Sequence, residues 1–395
     1  MTALVASAGY RGTRVATHAA GYRIEFFHDW QQAIARWHDA GSSMLFQDRR
    51  WLDAWYQAFA GVDDVEPLIV IITEAATADQ VALLPLVRRL QNGIRVVEFA
   101  DLELTDYNAP LLGAAAPREA SAALALWRDL LAALRWLPGG ADLVRLRKMP
   151  IDRGGRPNPL TLIGTAHQSS LNGNLVTTGD DFDAYRYSLE RSVRKELERS
   201  WRVFTRAPGA AFRFVTGDDE ARRVLSTMEI QQDARMRSLG LNFILNEETS
   251  AAFYRHLVDR NLGNGYAVLS ALTVGEEVVA TLLGIRNGAR YVMVRISNAG
   301  EKWSKCSPGR LIIERTMAEL HRDGVRHFDF SIGNYAYKRR FGVTPLALAD
   351  ITAAVSWRGL PFALRDRAAR TLRRHPRLAA RVGRALGKPP SREEY

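Results

Sequence analysis

The chain has 395 residues, 47% hydrophobic and 25% charged, with a net charge of +11 and one cysteine, Cys306. That length favours two domains and that composition a globular core. A single cysteine excludes an internal disulfide and a cysteine-based zinc site, and no stretch reaches the ~18 uninterrupted apolar residues of a membrane span.

Residues 1–20 mix Gly, Arg and His without an apolar leader segment, and read as a disordered, cytoplasmic start. Tyr22 to Phe27 is a strand. Asp29 opens a helix to about His38, with Trp30, Ile34 and Trp37 on one side. A second helix, Arg49 to Phe59, puts Trp51, Leu52, Trp55 and Phe59 on one face, a core stripe rather than a ligand box. Three β runs follow, Pro67 to Thr73, Val81 to Leu90 and Ile94 to Ala100, the last two joined by the tight-turn pair Asn92-Gly93. Asp101 to Gly113 is a polar loop, either plain surface or a pocket wall on which Asp106 would meet an acceptor. A helix over Ala120 to Leu137, a strand over Asp142 to Met149 and a strand over Leu171 to Thr177 complete the first half.

Phe182 to Phe204 reads as one long basic helix carrying Arg194, with a solvated face as the plain alternative. A strand at Phe212 to Thr216 and helices at Asp218 to Leu239 and Glu248 to Leu262 come next. Three further strands span Gly265 to Val274, Glu277 to Arg286 and Arg290 to Ser297. The chain is then organised around Ser307 to Gly342. Pro308-Gly309 starts a helix that Asp323-Gly324 ends, Val325 to Phe330 is a short strand, and YAYKRRFG is a basic loop. A helix N-terminus beside a strand end and a cationic loop suits an anion, because unpaired N–H groups and the helix dipole both favour negative charge. The plain alternative is an ordinary αβ unit with a solvated loop. Asp329 is either a tuned base or a brace for Lys338 or a backbone turn, and Tyr335 and Tyr337 are further cleft candidates. The scattered histidines lack metal-ligand spacing, so no metal is expected.

Hairpin, helix and strand occur twice in the same order, which predicts an α+β protein of duplicated domains. The expected division is 21–178 and 179–357, followed by a basic amphipathic tail, 358–395. Chemistry is expected in the second half, with the first framing the cleft.

The basic helix Arg191 to Ser200, the strand trio, SPG-x-x-Leu, FDF-x-x-G and YK-x-x-FG together resemble the GNAT-type domain of CelD-like (cellulose-biosynthesis-associated) acetyltransferases. They also resemble the FemABX aminoacyl transferases, whose duplicated GNAT fold ends in a similar motif. The resemblance covers about residues 20–357 and implies tandem GNAT-like domains and acyl transfer to an amine, from acyl-CoA (acetyl-CoA) or, in the FemABX branch, from aminoacyl-tRNA. It implies that Lys338 lies near the donor's acyl group, where an ammonium stabilises the developing oxyanion. Arg194 would face the phosphates of a nucleotide-sugar acceptor, and Ser307, Gly309 and Arg310 the CoA pyrophosphate. The stretch KWSKCSPGR departs from the usual Arg/Gln-x-x-Gly-x-Gly/Ala loop, with one glycine and a proline.

The expected activity is N-acyl transfer to an amino sugar or similar small-molecule amine in envelope or polysaccharide assembly, with Lys338, Asp329 and Tyr337 catalytic and Arg194, Asp106 and Tyr335 at the acceptor. A non-catalytic partner protein of a polysaccharide synthase is the alternative. Ten basic residues and one aspartate between Arg358 and Lys388 carry +9, leaving +3 on the body through Trp357. That body is no general polyanion binder, which argues against DNA and favours a thioester donor over tRNA. The tail suits an anionic membrane surface at the inner face, packing on the protein's own body and RNA contact being the alternatives.

Overall fold

The computed structural model describes residues 16–18, 21–38, 44–59, 61–152, 155–241, 243–333 and 335–374. The expectations for residues 1–15 and for the tail beyond residue 374 lie outside them. In chain order the elements are β1 (Ala16–His18), β2 (Tyr22–Phe27), α1 (Trp30–Arg36), α2 (Arg49–Ala58), β3 (Val65–Glu74), β4 (Gln80–Gln91), β5 (Ile94–Phe99), β6 (Leu111–Leu112), α3 (Ala120–Arg135), β7 (Leu143–Pro150) and β8 (His167–Thr177). There follow α4 (Phe182–Ser188), α5 (Arg191–Phe204), β9 (Ala210–Phe214), α6 (Asp218–Ser238), α7 (Glu248–Asn261), β10 (Ala267–Val274), β11 (Glu277–Asn287), β12 (Arg290–Asn298), α8 (Pro308–Arg322), β13 (His327–Asp329), α9 (Ala336–Arg339), β14 (Thr344–Ala354) and α10 (Leu360–Arg374).

The chain forms two compact units of one α+β design. In the first, β2, β3, β4 and β5 form an antiparallel meander, α3 crosses over, and β7 returns parallel to β5. In the second, β9, β10, β11 and β12 form the meander, α8 crosses over, and β13 returns parallel to β12. Asn92-Gly93 and Asn287-Gly288 close corresponding hairpins, with positive φ at Asn92, Gly93 and Gly288. The apolar stripe of α3 (Ala123, Leu126, Trp127, Leu130, Leu134) is buried with Ile24, Phe26, Leu68 and Val70 of the first unit. The corresponding stripe of α8 (Leu311, Ile312, Met317, Leu320) is buried with Val193, Leu197 and Phe204 of α5. Each such leucine or isoleucine contributes roughly 1.5–3 kcal/mol by burial.

The last strand of each design comes from elsewhere in the chain. Leu348–Ala354 of β14 lies antiparallel to β7 in the first unit. Leu175–Thr177 of β8 lies antiparallel to β13 in the second. Helix α2 also belongs to the second unit, where Trp51 meets Phe253 edge-on at 4.9 Å and Arg50 lies 4.2 Å over the Tyr266 ring. The units are therefore Met1–Gln47, Ala60–Ser170 and Leu348–Tyr395, against Asp48–Phe59 and Leu171–Ala347. The contiguous division at 178/179 differs from this in α2 and in the destination of β8 and β14.

Two local expectations are corrected. Phe182 to Phe204 is two helices: Leu189 turns extended (ψ 156°) to bury its side chain in the core, and the chain restarts at Arg191. YAYKRRFG is not a loop, because Ala336–Arg339 forms a helical turn that buries Lys338. The described part of the basic tail, α10, packs Phe362 and Ala363 against Ile94, Val96 and Leu143 of its own unit and pairs Asp366 with Arg145 at 2.9 Å. Trp357, Leu360 and Leu364 stay exposed, Trp357 by 79%. Among the described residues no helix is long and apolar enough to cross a membrane.

Candidate active site

The site grows from the way β12 and β13 part. They pair in parallel only from Arg290 opposite His327 to Val292 opposite Asp329, while β12 runs on to Asn298. Just past that pairing, β12 is offset against β11 by a bulge, with Leu283 opposite Arg295 and Gly284 opposite Met293, and the Tyr291 ring occupies the space of a side chain at Gly284. A Cβ on Gly284 would sit 2.3 Å from that ring, so only glycine fits. Past Asp329 the chain turns through Ser331 at φ 65°, and Phe330 N–H bonds Asn174 O at 2.8 Å.

Beside the diverging end of β12 lies a cavity of about 900 Å³. Its walls are Ile230, Gln231, Ala234, Arg235 and Ser238 of α6, Ile296 and Asn298 of β12, the turn from Ala299 to Ser304, the start of α8 from Ser307 to Arg310 with Ile313, and Tyr337 of α9. Side-chain hydrogen bonds seat α6 on the sheet. Gln231 accepts from Ser297 Oγ at 2.7 Å and donates to Val278 O at 2.8 Å, and Gln232 donates to Ile296 O at 3.0 Å. Beneath them Arg295 is buried over the Tyr254 ring at 4.5 Å, donating to Gln232 Oε1 and Asn246 Oδ1. Burial pushes its guanidinium below the usual arginine range.

Three donor-site candidates line this cavity together. Ser307 stands at φ 47° as the N-cap of α8, and its carbonyl accepts from Arg310 N–H and Leu311 N–H at 3.0 and 3.1 Å. Since Pro308 has no N–H, Gly309 carries the outward donor of the first turn. A Cβ on Gly309 would meet only Asn298 Nδ2, at 3.5 Å, and the residue lines the cavity. Arg310 reaches Ser307 Oγ at 2.9 Å and pairs with Glu196, which Arg340 also holds at 2.8 Å. The preceding turn, Gly300–Cys306, is a 3₁₀ helix rather than an open glycine loop, so most of its amides are spent internally.

Of the three catalytic candidates, Tyr337 alone lines the cavity. Burial, helped by Tyr335 and opposed by Arg235, pushes its phenol up to about 12. Its ring stacks on Tyr335 with centroids 6.1 Å apart, while Tyr335 itself is 57% exposed. Lys338 is buried, its ammonium donating to Ile332 O at 2.6 Å and Ser331 O at 3.3 Å. Asp329 is buried too and accepts from Ser331 N–H at 2.7 Å, so it braces a backbone turn, one of the two roles expected for it. Lys338 and Asp329 thus hold the 329–332 turn from both sides. Arg194 donates to Tyr187 O at 2.7 Å and stacks on that ring, and it does not line the cavity. Asp106 belongs to the first unit, where with Asp101 and Glu103 it acts on buried Lys148: burial lowers that ammonium, and the carboxylates outweigh it and raise it.

The sequence did not single out the α6 wall, Gln231 and Arg235 above all. The signal available was Ile230, an isolated apolar residue in a polar run, in helical register with Ala234 and Ser238. Among the described residues no group of three or more His, Cys, Asp or Glu side chains could hold a metal.

Residues 191–339 match the family described as acetyltransferase (GNAT) domain. No curated protein matches the chain in sequence. Among solved structures, FemX aligns over 82% of this chain and 96% of its own at 10% identity and a TM-score of 0.53, a likeness of fold. The C-terminal domain of a putative lysylphosphatidylglycerol synthetase from Agrobacterium fabrum aligns over 83% and 93% at 13% identity, TM-score 0.48. A tandem GNAT protein from the clavulanic acid biosynthesis pathway aligns over 82% and 92% at 12% identity, TM-score 0.44. The second unit is thus built on a GNAT acetyltransferase domain, and on that match the chain is an N-acyltransferase.

Proposed function

We propose that the second unit transfers an acyl group from acyl-CoA to the amine of a sugar or similar polar precursor of envelope or polysaccharide, as CelD-like acetyltransferases would. The observation that carries this is one cavity lined both by Tyr337 and by the first turn of α8, Ser307 to Arg310. In this reading the Gly309 N–H and the guanidinium groups of Arg310 and Arg235 meet the donor's phosphates. The amine attacks the thioester carbonyl, a C–N bond forms, the C–S bond breaks, and the thiolate leaves. A phenol held near 12 stays protonated at neutral pH, so Tyr337 works as a relay: it gives its proton to the sulfur as the C–S bond breaks and takes the proton the amine nitrogen loses, leaving amide, free thiol and neutral phenol. Lys338 and Asp329 act by fixing the turn before α9, and so the seat of Tyr337. The exposed Trp357, Leu360 and Leu364 and the arginines of α10 support a peripheral contact with an anionic membrane at the cytoplasmic face.

The direct test is thiol release from acyl-CoA in the presence of a panel of amino sugars and other small amines. Release that depends on the amine supports the reading. None with any amine, from a protein shown to be folded, would overturn it. One observation favours a second donor. The 3₁₀ turn at Gly300–Cys306 leaves few amides for a pyrophosphate, which an aminoacyl-tRNA ester does not need. Tight tRNA binding that falls steeply with salt would favour that donor.

A further inference from the structure

We propose that the second-unit cavity is built for an apolar chain longer than acetyl, carried by the acyl donor. The inference rests on the acyl-CoA reading above and narrows it.

At about 900 Å³ the cavity lies near the upper end of the ~300–1,000 Å³ typical of small-molecule sites. Much of its lining is apolar, with Ile230, Ala234, Ile296, Pro308 and Ile313 joined by the Tyr337 ring. Ile230 decides the point. It stands on the outer wall, on α6, and is 63% exposed, although the neighbouring register positions Ala234 and Ser238 are small. Covering an isoleucine held open to water on a cavity wall is favourable, and an acyl chain longer than two carbons adds apolar surface to do so beside the donor's own arm. The charged lining residues are Arg235, Arg310 and Glu301, and Arg310 is also paired with Glu196. Apolar walls with two guanidinium groups fit an amphiphile that has an anionic head and a hydrocarbon chain. The chain could belong to the donor or to an alkyl-bearing acceptor. The donor is favoured because the α8 turn that would grip its phosphates lines the same cavity as Ile230.

The test is calorimetric titration of the full-length protein with CoA, acetyl-CoA, octanoyl-CoA and octylamine. Burial of a methylene is worth about fourfold in affinity, so covering about two of the extra methylenes of octanoyl-CoA makes it bind about fifteenfold more tightly than acetyl-CoA. Ala234 is exposed on the α6 wall, so A234W fills the cavity without disturbing the core. In that variant octanoyl-CoA is expected to fall to the affinity of acetyl-CoA, with an unchanged thermal melt. Equal affinity of the native protein for both thioesters would overturn the inference and leave the acyl-CoA reading standing. Binding of octylamine without binding of CoA or either thioester would overturn both.

Discussion

Asp142 Oδ1 accepts the hydroxyl proton of Ser356 at 2.5 Å, although 214 residues of chain separate them. The same carboxylate takes Arg95 N–H at 2.9 Å, and Asp142 O receives Val355 N–H at 2.9 Å. Gly359 lies so close that a Cβ would stand 1.9 Å from Asp142 O. The contact therefore fastens the end of β14 onto the strand it joins. Burial alone would raise the Asp142 carboxyl, but the Arg95 N–H, the Ser356 hydroxyl and the nearby Arg358 and Arg95 charges outweigh it and hold the group below the usual carboxylate range. A depressed carboxylate contributes stability above its unfolded pKa, and that contribution is lost as pH falls from there through the folded value. D142N is expected to melt lower at pH 7, by about 1.5–3 kcal/mol for lost bonds to a charged group, and to lose less on acidification below about pH 4. Parallel melting curves of variant and parent across that acid range would refute the role.

Tyr337 is expected to act at the chemical step. Y337F should lower kcat by about a hundredfold, the lower range for a lost proton donor, with little change in KM for the donor. Because the phenol is raised to about 12, the parent's alkaline limb should not reflect Tyr337 below that pH. Steady-state kinetics over pH 6–10 decides this, and an unchanged kcat in the variant would remove Tyr337 from the mechanism.

Lys338 should show both a structural and a kinetic effect. Its ammonium satisfies two carbonyls, at Ile332 and Ser331, and K338M leaves them without that donor. The expected loss is about 1–3 kcal/mol of stability together with reduced turnover, since the turn preceding Tyr337 loosens. An oxyanion role would instead remove turnover at an unchanged melting temperature. Denaturant unfolding measured beside kcat distinguishes the two.

For the tail, the exposed Trp357, Leu360 and Leu364 give a defined surface to alter. The triple change W357S/L360S/L364S removes apolar side chains that already face solvent, so the fold should persist. Co-sedimentation with anionic vesicles is expected to drop several-fold relative to the parent, and neutral vesicles should retain neither protein. Equal pelleting of both proteins on anionic vesicles would discard the membrane contact.

Much of this architecture was legible because local chemistry enforces it. The Trp51–Leu52–Trp55 stripe is buried as its spacing requires, and the glycine turns at Asn92 and Asn287 close the hairpins they announce. The repeat of meander, helix and strand was visible for the same reason. What escaped was non-local. Leu189 breaks the long helix without glycine or proline, because a core pocket attracts its side chain. Lys338 reads as a solvated cation in a basic run, yet the 331–332 carbonyls draw it inside. Ser307, Gly309, Arg310 and Tyr337 were named and do share a cavity, whereas α6, the wall opposite them, carries no motif at all.

The exchange of last strands has a consequence for how the protein is made. When β7 leaves the ribosome, the strand that will pair with its edge at Leu348–Ala354 is still roughly 200 residues from being synthesised, and at about 5–20 residues per second that is a wait of roughly 10–40 s. During that interval a strand in which Leu143, Val144 and Leu146 are interleaved with Arg145, Arg147 and Lys148 presents unpaired amides and carbonyls, the kind of edge that recruits strands from other chains unless its charges deter them. Translation speed through the second half, and chaperone capture of the nascent first half, would then govern yield more than the stability of the finished fold.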